Sequence, residues 1–518
     1  MKDKLLILLI LVFSFSCSDL ELKPLDRITE EAVFSSAEEF DAAIFASYSS
    51  FQKLYQNRQV DPNQNFAAWL KLTLFPSDAV VWGSFEDQPG MVRGAQELDT
   101  HSFDASIQPL QAAYSYIYEG IARANIVLSK LDEKGATVLT NEEITRMRAE
   151  AKFLRAFLHF QAMKVWGTPP LVTERITDPN NAAKGNSTKE ELSAQILSDF
   201  ADASEGLPEV WDDANTGRAT KWAAQAFIGK VNVWIEDWNS AIAAFERVEA
   251  SQMYSLGTDG DSYDPIFAED NENNNATIFE IQFGSSTGGN IWVLEDEGVS
   301  GVAAEGNSRG YYQGLPRDVP PGRNLTDPNG TVASIQSIGL YEVAPEFVSL
   351  FEAGDIRRNN FIYEDGDVYD NLDGVQFIYE ANHPEYDYSG TGYHIEKYND
   401  ITALTIDGPD SRGRFIFNNE RFFRYAEMVL LYAEALIESG REDDGLQQVN
   451  RIRARAGLPA ATADATAAMR LEKRIELAFE GQRTFDMMRW GIGGIFKVFP
   501  FPQAEISKSG GLLKQNTP

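Results

Sequence analysis

Cysteine is almost absent from this chain of 518 residues, which has one, at position 17. A single cysteine cannot form a disulfide within the chain, so a disulfide framework is excluded. Histidine is also scarce, and none of the four has the HExxH spacing of a zinc site. The sequence therefore argues against a zinc or iron centre, and it contains no P-loop or dinucleotide fingerprint. The four histidines are His101, His159, His383 and His394.

Basic residues are outnumbered in this chain. Its 45 Lys and Arg stand against 78 Asp and Glu, which gives a formal net charge of −33. A field of this sign repels phosphate backbones and polyanionic glycans. The charge balance therefore disfavours nucleic acid as a partner and favours solubility. Hydrophobic residues make up 43% of the chain, which is enough for a large core.

Long hydrophobic runs are absent apart from one near the start. Lys2 and Lys4 precede nine continuous apolar residues at 5–13, whereas a membrane-spanning helix needs about 20. This is the pattern of a secretory signal peptide, which we assign to residues 1–16. Cys17 follows directly, and lipid attachment there gives the one cysteine of an exported protein a role. The alternative is an unused thiol in a discarded leader.

Apolar residues spaced three and four apart dominate both ends of the mature chain, which is the periodicity of amphipathic helices. They predict helices over residues 36–54, 108–131, 144–166, 190–204, 221–235, 238–248, 421–438, 446–456 and 471–490. From residue 251 to about 419 this periodicity gives way to Asn, Asp, Gly, Pro and Tyr. Short strand-like runs lie at 277–283 and 341–343.

This pattern predicts a mainly α fold in three parts. An N-terminal helical part at 17–250 contains an irregular, surface-placed binding loop near 74–104. A structureless loop of this length is rare inside a compact domain, so residues 251–420 are interpreted as a large, loop-rich insertion that forms an irregular subdomain. This insertion is expected to carry the ligand surface. A C-terminal helical part at 421–518 closes the scaffold.

Small residues mark where two of the predicted helices approach closely. Residues 223–226, Ala-Ala-Gln-Ala, and Gly229 lie on one helix. On the next helix, Ala241 and Phe245 match part of the tetratricopeptide pattern. Several helix pairs with such seams predict a helical-repeat scaffold.

The helix predicted over 144–166 carries a longer phrase. Residues 148–170 read RAEAKFLRAFLHFQAMKVWGTPP, in which Gly167 can end the helix and two prolines prevent it from resuming. This phrase resembles a signature of the SusD/RagB family, and further blocks resemble those of the family in the same order. They lie at 421–438, 446–456, 471–490, 502–506 and 515–516, with residues 357–358 and 395–398 at its D-x-R and KY phrases.

The resemblance spans nearly the whole mature chain. It implies a surface glycan-binding lipoprotein of the outer membrane, with four tetratricopeptide-like units and a SusC-like TonB-dependent transporter as partner. Such a protein captures an oligosaccharide or polysaccharide, delivers it to the transporter and makes or breaks no bond. A relative that captures peptides or other nutrients on the same scaffold is an alternative that these residues leave open.

Acidic residues on the C-terminal helices suggest a catalytic role, because paired carboxylates hydrolyse glycosidic bonds. Cations lie three to four residues away, which favours buried ion pairs that hold the helices in register. A GxSxG pattern at 284–288 follows a strand-like run, as in a serine hydrolase, but a poor helix start follows it. The alternative to a binding protein is therefore a surface glycan hydrolase or esterase that uses Ser286 or a carboxylate pair. The charged residues concerned are Glu427, Glu434, Glu476, Glu480, Arg483, Asp486 and Arg489.

Aromatic residues in the irregular segments are the candidates for a ligand site. An exposed ring can stack on the apolar face of a sugar while Asp, Asn and Arg bond its hydroxyl groups. The alternative is that these rings cap the helical core. The predicted glycan-binding residues are Asp78, Trp82 and Phe85 in the first segment and Asn290, Trp292, Arg309, Tyr311 and Tyr312 in the second.

The surroundings of these rings predict the class of ligand. Few lysines and arginines lie nearby, so we expect a neutral glycan, such as a β-glucan, over a sulfated or uronic one. Acidic stretches at 259–264 and 365–373 could hold calcium, but neither has the twelve-residue ligand order of an EF-hand. We predict no cofactor, with a structural calcium ion left open.

Overall fold

The computed structural model describes residues 34–58, 65–83, 94–257, 264–268, 271–283, 307, 309, 325–326, 332–333, 340–370, 376–379, 390–398, 418–462 and 464–516. Helices dominate these ranges, which confirms the predicted fold class. They are α1 (Ala37–Gln52), α2 (Ala68–Leu74), α3 (Ala95–Asp99), α4 (Gln108–Lys130), α5 (Ala136–Val138), α6 (Asn141–Trp166), α7 (Lys189–Gly206), α8 (Lys221–Trp234), α9 (Trp238–Ser251), α10 (Asp264–Phe267), α11 (Pro345–Val348), α12 (Arg358–Phe361), α13 (Tyr425–Glu438), α14 (Glu442–Arg455), α15 (Ala465–Glu476), α16 (Arg483–Trp490) and α17 (Gln503–Lys508).

The strands are short and pair antiparallel. They are β1 (Asn57–Arg58), β2 (Asn65–Phe66), β3 (Val80–Trp82), β4 (Thr277–Ile281), β5 (Leu325–Thr326), β6 (Val332–Ala333), β7 (Tyr341–Val343), β8 (Ile362–Glu364), β9 (Val368–Asp370), β10 (Gln376–Tyr379), β11 (Tyr393–Ile395) and β12 (Glu420–Arg424). Within the described ranges the sheet orders are β1-β2, β6-β5-β10-β9, β3-β7-β11-β8 and β12-β4. The predicted loop-rich insertion therefore contains regular sheet, including both strand-like runs seen in the sequence.

The long helices pack in succession along the chain. Helix α1 packs on α4, α4 on α6, α6 on α7, α7 on α8, α8 on α9, α9 on α13, α13 on α14 and α14 on α15. This is the predicted array of tetratricopeptide-like helix pairs. Gly229 shows how close one pair comes, because a Cβ at that position would lie 2.3 Å from the Phe245 ring.

Helix α6 lies at the centre of the scaffold. It begins with a capping box between Thr140 and Glu143, and it ends at Gly167, whose φ is +74°. The predicted stop is thus confirmed. The sequence pattern predicted one apolar face, but every side chain from Phe153 to Trp166 is buried. The reason is that α1, α4, α7 and α8 all pack against this helix.

Two predicted helices are shorter than expected. Residues 421–424 form strand β12, which pairs with β4, and the helix begins only at Tyr425. The helix predicted over 471–490 is interrupted, because Phe479 and Gly481 have φ values of +65° and +78°. Gly481 also lies against Thr73, whose hydroxyl oxygen would be 2.7 Å from an added Cβ. This approach requires glycine.

The predicted irregular loop at 74–104 is also corrected in part. It contains strand β3 and helix α3 on either side of residues 84–93, which lie outside the described residues. Several of its side chains are core residues instead of surface ones. They are Leu74, Phe75, Ala79, Val80, Ala95 and Leu98.

The predicted signal peptide and Cys17 lie before the first described residue. Among the helices that the structure describes, none combines the length and the apolar character that crossing a bilayer demands.

Candidate functional site

Strand β3 places Trp82 at the edge of the sheet β3-β7-β11-β8. The backbone N–H of Gly83 donates to Leu340 at 3.0 Å, and Ala344 donates to Ala79 at 3.0 Å. Alternate residues of an antiparallel edge strand point their N–H groups away from the neighbouring strand. The N–H of Trp82 is therefore directed outward, toward helix α3.

Asp99, the last residue of α3, accepts this outward N–H of Trp82. Burial raises the pKa of the Asp99 carboxyl above its ordinary value, and the hydrogen bond from Trp82 offsets only part of that effect. The strand edge is thus capped by a half-buried carboxyl group. Sequence reasoning missed this residue, because nothing in the α3 sequence indicates that it reaches β3.

The Trp82 indole is partly exposed and packs against the hydrophobic core. Its Nε1 is buried and finds no hydrogen-bond acceptor in the part of the chain that the structure describes. Carbon atoms therefore make up the exposed part of the ring. Beneath the strand pair, Phe75 stacks on Tyr341 with ring centroids 4.5 Å apart, which supports β7. The exposed carbon atoms of the Trp82 ring, on this supported strand pair, suit stacking on an apolar ligand face.

Asp78 precedes β3 and joins it to the C-terminal helices. Its two carboxylate oxygens accept hydrogen bonds from Arg483 at 2.8 and 2.7 Å, and Arg474 lies 3.2 Å from Oδ2. Burial opposes ionisation of Asp78, but the hydrogen bond and charge of Arg483 outweigh it, so the pKa is lowered. One third of the side chain is exposed. Its predicted contact with a glycan therefore stays a prediction.

Arg309 does not lie on a surface. Its guanidinium is 1% exposed, donates from Nε to Glu420 at 2.8 Å and from Nη1 to the Phe479 carbonyl at 2.7 Å, and covers the Tyr398 ring. Burial opposes its charge, yet the neighbouring carboxylate of Glu420 raises the pKa of Arg309 above the ordinary value. The predicted contact of Arg309 with a sugar is contradicted, because a buried, fully paired guanidinium cannot reach ligand hydroxyls.

The remaining predicted positions lie outside the described residues, so their contacts stay predictions. These positions are Phe85, Asn290, Trp292, Tyr311 and Tyr312, together with Ser286 of the GxSxG pattern. The structure thus brings Trp82, Asp78 and Asp99 to one region, whereas Arg309 is buried.

The acidic residues of the C-terminal helices form buried ion pairs, as the sequence favoured. Glu480 bonds Arg424 at 2.7 Å and Lys397 at 2.6 Å, and Glu476 bonds Arg424 at 3.0 Å. Burial opposes the ionisation of both, but Arg455 and Arg424 lower the pKa of Glu476, and Arg424 and Lys397 lower that of Glu480. The remaining members pair in the same way: Lys230 with Glu427, Arg489 with Glu434, Lys473 with Asp486, and Arg483 with Asp78.

No group of histidine, cysteine and acidic side chains within the described ranges is arranged to hold a metal ion. The acidic stretch at 259–264 is covered only at Asp264, and that at 365–373 only as far as Asp370. Calcium binding there stays untested.

Comparison with known proteins places the chain in a family. One family model, described as the SusD family, matches residues 342–494, and another, described as starch-binding associating with outer membrane, matches residues 82–233. A SusD-like protein of Formosa agariphila is 25% identical over 95% of this chain and 90% of its own length. The chain belongs to the SusD/RagB family. The starch-binding protein SusD of Bacteroides thetaiotaomicron is 23% identical over 80% of this chain and 75% of its own length.

Solved structures of SusD/RagB type share the fold. A laminarin-binding SusD-like protein matches with a TM-score of 0.72 at 25% identity, over 93% of this chain and 99% of that one. A SusD-like protein of Bacteroides fragilis matches with a TM-score of 0.75 at 24% identity, over 95% and 99%. The paired-helix array and the insertion together therefore form the SusD/RagB fold.

Proposed function

We propose that this protein binds glycan at the cell surface and delivers it to a SusC-like TonB-dependent transporter of the outer membrane. Membership of the SusD/RagB family supports glycan binding, and the laminarin-binding relative covers almost the whole chain. Laminarin is a β-glucan, so that relative also supports a neutral β-glucan as the ligand class.

The observation that carries the proposal is the partly exposed indole of Trp82 at the end of an edge strand. Its exposed carbon atoms offer a stacking surface. Asp99, the last residue of α3, bonds the backbone of Trp82, and Asp78, which is one third exposed, lies just before β3. Stacking by a few rings at roughly 1 kcal/mol each leaves an affinity on the order of micromolar to millimolar after the costs of association. Weak binding suits a protein that must release its ligand.

The charges of the described residues around Trp82 support a neutral ligand. Arg474 and Arg483, the cations closest along these contacts, share the one carboxylate of Asp78, and their side chains are only 19% and 11% exposed, so little cationic surface is open to a ligand. A sulfated or uronic glycan would find little cationic surface there and would be repelled by the net charge of −33.

Titration calorimetry of wild type and Trp82→Ala against neutral and anionic oligosaccharides tests the proposal. We expect binding of a neutral β-glucan oligosaccharide and about a five- to tenfold loss of affinity in Trp82→Ala. Trp238→Ala is the matched control, because Trp238 is another partly buried tryptophan and lies away from β3, at the start of helix α9. Unchanged binding by a folded Trp82→Ala variant would contradict the placement of the site, and preference for the anionic set would contradict the ligand class.

We also propose that the protein is not an enzyme. The carboxylates that the sequence suggests for catalysis, including Glu476 and Glu480, are buried and bound to arginine or lysine, so they are unavailable to a substrate. Labelled oligosaccharides incubated with the protein should remain intact. Any turnover that survives purification to homogeneity would favour the hydrolase instead.

Lipid attachment at Cys17 is the proposed anchor, and the family description that mentions the outer membrane supports this location. The variant Cys17→Ser should appear in the soluble fraction of the expressing cell, whereas the wild type should sediment with membranes. Equal sedimentation of both would reject the anchor without touching the glycan site.

A further inference from the structure

A cleft of about 300 Å³ opens between α1, the connection from α7 to α8, and the residues that follow β4. This volume lies at the lower end of the range of about 300–1,000 Å³ usual for small-molecule sites. The side chains that matter in its lining are Phe45, Tyr48, Gln52, Thr216, Arg218 and Gln282. None of them belongs to the Trp82 region described above.

Phe45 gives this cleft an exposed aromatic surface. The residue is 48% exposed, which makes it one of few large hydrophobic residues so open to solvent in the described ranges. The Arg218 guanidinium lies 5.0 Å from the Phe45 ring and 4.6 Å from the Trp211 ring. Because cation–π contacts fix a ring on one side, Phe45 presents its remaining surface to the cleft in a defined orientation.

Arg218 is itself held firmly and brings no uncompensated charge. Its Nε donates to Glu150 at 2.8 Å, Nη1 to Asn215 at 2.9 Å and Nη2 to Asp41 at 2.8 Å. Burial opposes its charge, but the Glu150 hydrogen bond and charge raise the pKa of Arg218 above the ordinary value. Arg146 lies 3.5 Å from Asp41 and 4.0 Å from Glu150, so two cations balance the two carboxylates. These groups give the cleft no net charge, which favours a neutral ligand.

The polar groups of the cleft are mainly acceptors. Gln52 donates from Nε2 to the Gln282 carbonyl at 2.9 Å, and its Oε1 receives no donor among the described residues. The Thr216 hydroxyl donates to Asp213 at 3.1 Å, which leaves its oxygen able to accept. A neutral ligand with hydroxyl groups fits, because a hydroxyl can donate to these oxygens and accept the second N–H of the Gln52 amide.

We infer that this cleft is a second saccharide site, in which a sugar ring stacks on Phe45 and its hydroxyl groups donate to Gln52 and Thr216. The inference rests on the proposed glycan-binding function. A chain with two weak sites holds a long polysaccharide more tightly than a short oligosaccharide, because the second contact becomes intramolecular.

Gel electrophoresis through a neutral β-glucan polysaccharide tests the second site by retardation of the folded protein. Phe45→Ala removes the stacking ring, and Thr216→Trp fills the cleft, so both variants should lose about three- to tenfold in polysaccharide affinity. Val210→Ala is the matched control, because Val210 is an exposed apolar residue on the same connection that does not line the cleft. It should migrate like the wild type.

The outcomes separate this inference from the proposed function. Retention of wild type, weakened by Trp82→Ala and also by Phe45→Ala and Thr216→Trp, supports two sites. If Trp82→Ala weakens retention but Phe45→Ala and Thr216→Trp both behave like the wild type, the second site alone is overturned. A wild type that no neutral or anionic polysaccharide retains overturns the glycan-binding function, and the second site with it.

Discussion

Two buried regions of the molecule are held together by different chemistry. In the seam of α6, α7 and α8, aromatic rings pack on one another, and Phe153 lies 5.4 Å from Phe200 and 5.7 Å from Phe227. In the C-terminal junction, which we define as Arg357, Lys397, Arg424, Glu476 and Glu480, charged groups are buried at similar depth. The first region is stabilised by apolar burial and the second by paired charges.

The difference shows what each region specifies. Apolar rings tolerate small shifts, since their attraction has little directional preference. A buried charge has no such freedom, because a displaced partner leaves it unpaired in a low-dielectric interior. Arg357 and Lys397 come from the insertion, whereas Glu476 and Glu480 come from the C-terminal helical part. The junction therefore sets how the insertion sits on the scaffold, and the aromatic seam supplies stability.

The largest expected effect comes from removing the shared carboxylate of the junction. Glu476→Ala takes a counterion from Arg357, Arg424 and Arg455, so we expect a loss of about 3–5 kcal/mol in the free energy of unfolding. Urea unfolding followed by circular dichroism measures it. Glu438→Ala, at the exposed end of α13, is the control and should change stability by less than about 0.5 kcal/mol. Similar losses in both variants would show that the buried pairing of Glu476 contributes no more to stability than an exposed carboxylate does.

As the pH falls, the seam around α6 and the C-terminal junction should lose their contributions to the free energy of unfolding at different pH values. Burial lowers the pKa of His159 on α6 to about 4, and its neutral ring accepts the Val172 N–H at Nε2, 3.1 Å away. A histidine in the unfolded chain binds a proton near pH 6.5. Stability from neutral His159 is therefore complete above that pH and declines as the pH falls toward 4.

We expect a loss of about 2 kcal/mol from His159 between pH 7 and pH 5, with His394 adding its own share. Glu480, whose pKa is lowered from 4.5, contributes stability that is lost only at lower pH. Thermal melts at pH 7 and pH 5 should show a smaller difference for His159→Gln than for wild type. An unchanged difference would mean that the histidine does not titrate in this window.

The smallest of these effects lies in a helix seam. Gly229→Ala places a Cβ 2.3 Å from the Phe245 ring, and the overpacking should cost about 1–3 kcal/mol. Alanine is the better helix former by about 1 kcal/mol, which reduces the net loss. In combination with Phe245→Leu the cost should shrink, because the smaller side chain makes room. Strict additivity in this double-mutant cycle would show that the two residues do not compete for space.

The helices could be predicted because their signals are local. The predicted helix at 108–131 is observed at Gln108–Lys130, and the stop at Gly167 is in place, since periodicity and caps act within a few residues. Residues 421–424 could not be assigned correctly. Their apolar and basic residues continue the helical pattern of α13, and only pairing with β4 makes them a strand.

The candidate site was predictable in part. Aromatic composition pointed to Trp82, which the structure leaves partly exposed. Its position beside Tyr311 and Tyr312 pointed to Arg309 as a partner for sugar hydroxyl groups, but Arg309 is buried against Glu420, which lies far away in the sequence. Asp99 and the Phe45 cleft were missed for that same reason, since each depends on elements brought together by folding.

The amino-acid sequence by itself was enough to indicate the family, to predict an export signal and to place the helices in order. Periodicity, helix caps and ordered sequence motifs are all local features of the chain. Only the tertiary structure decided which charged side chains are buried in pairs and which rings stay open to solvent. Burial and pairing are set by contacts between distant segments, so they cannot be predicted from any single segment.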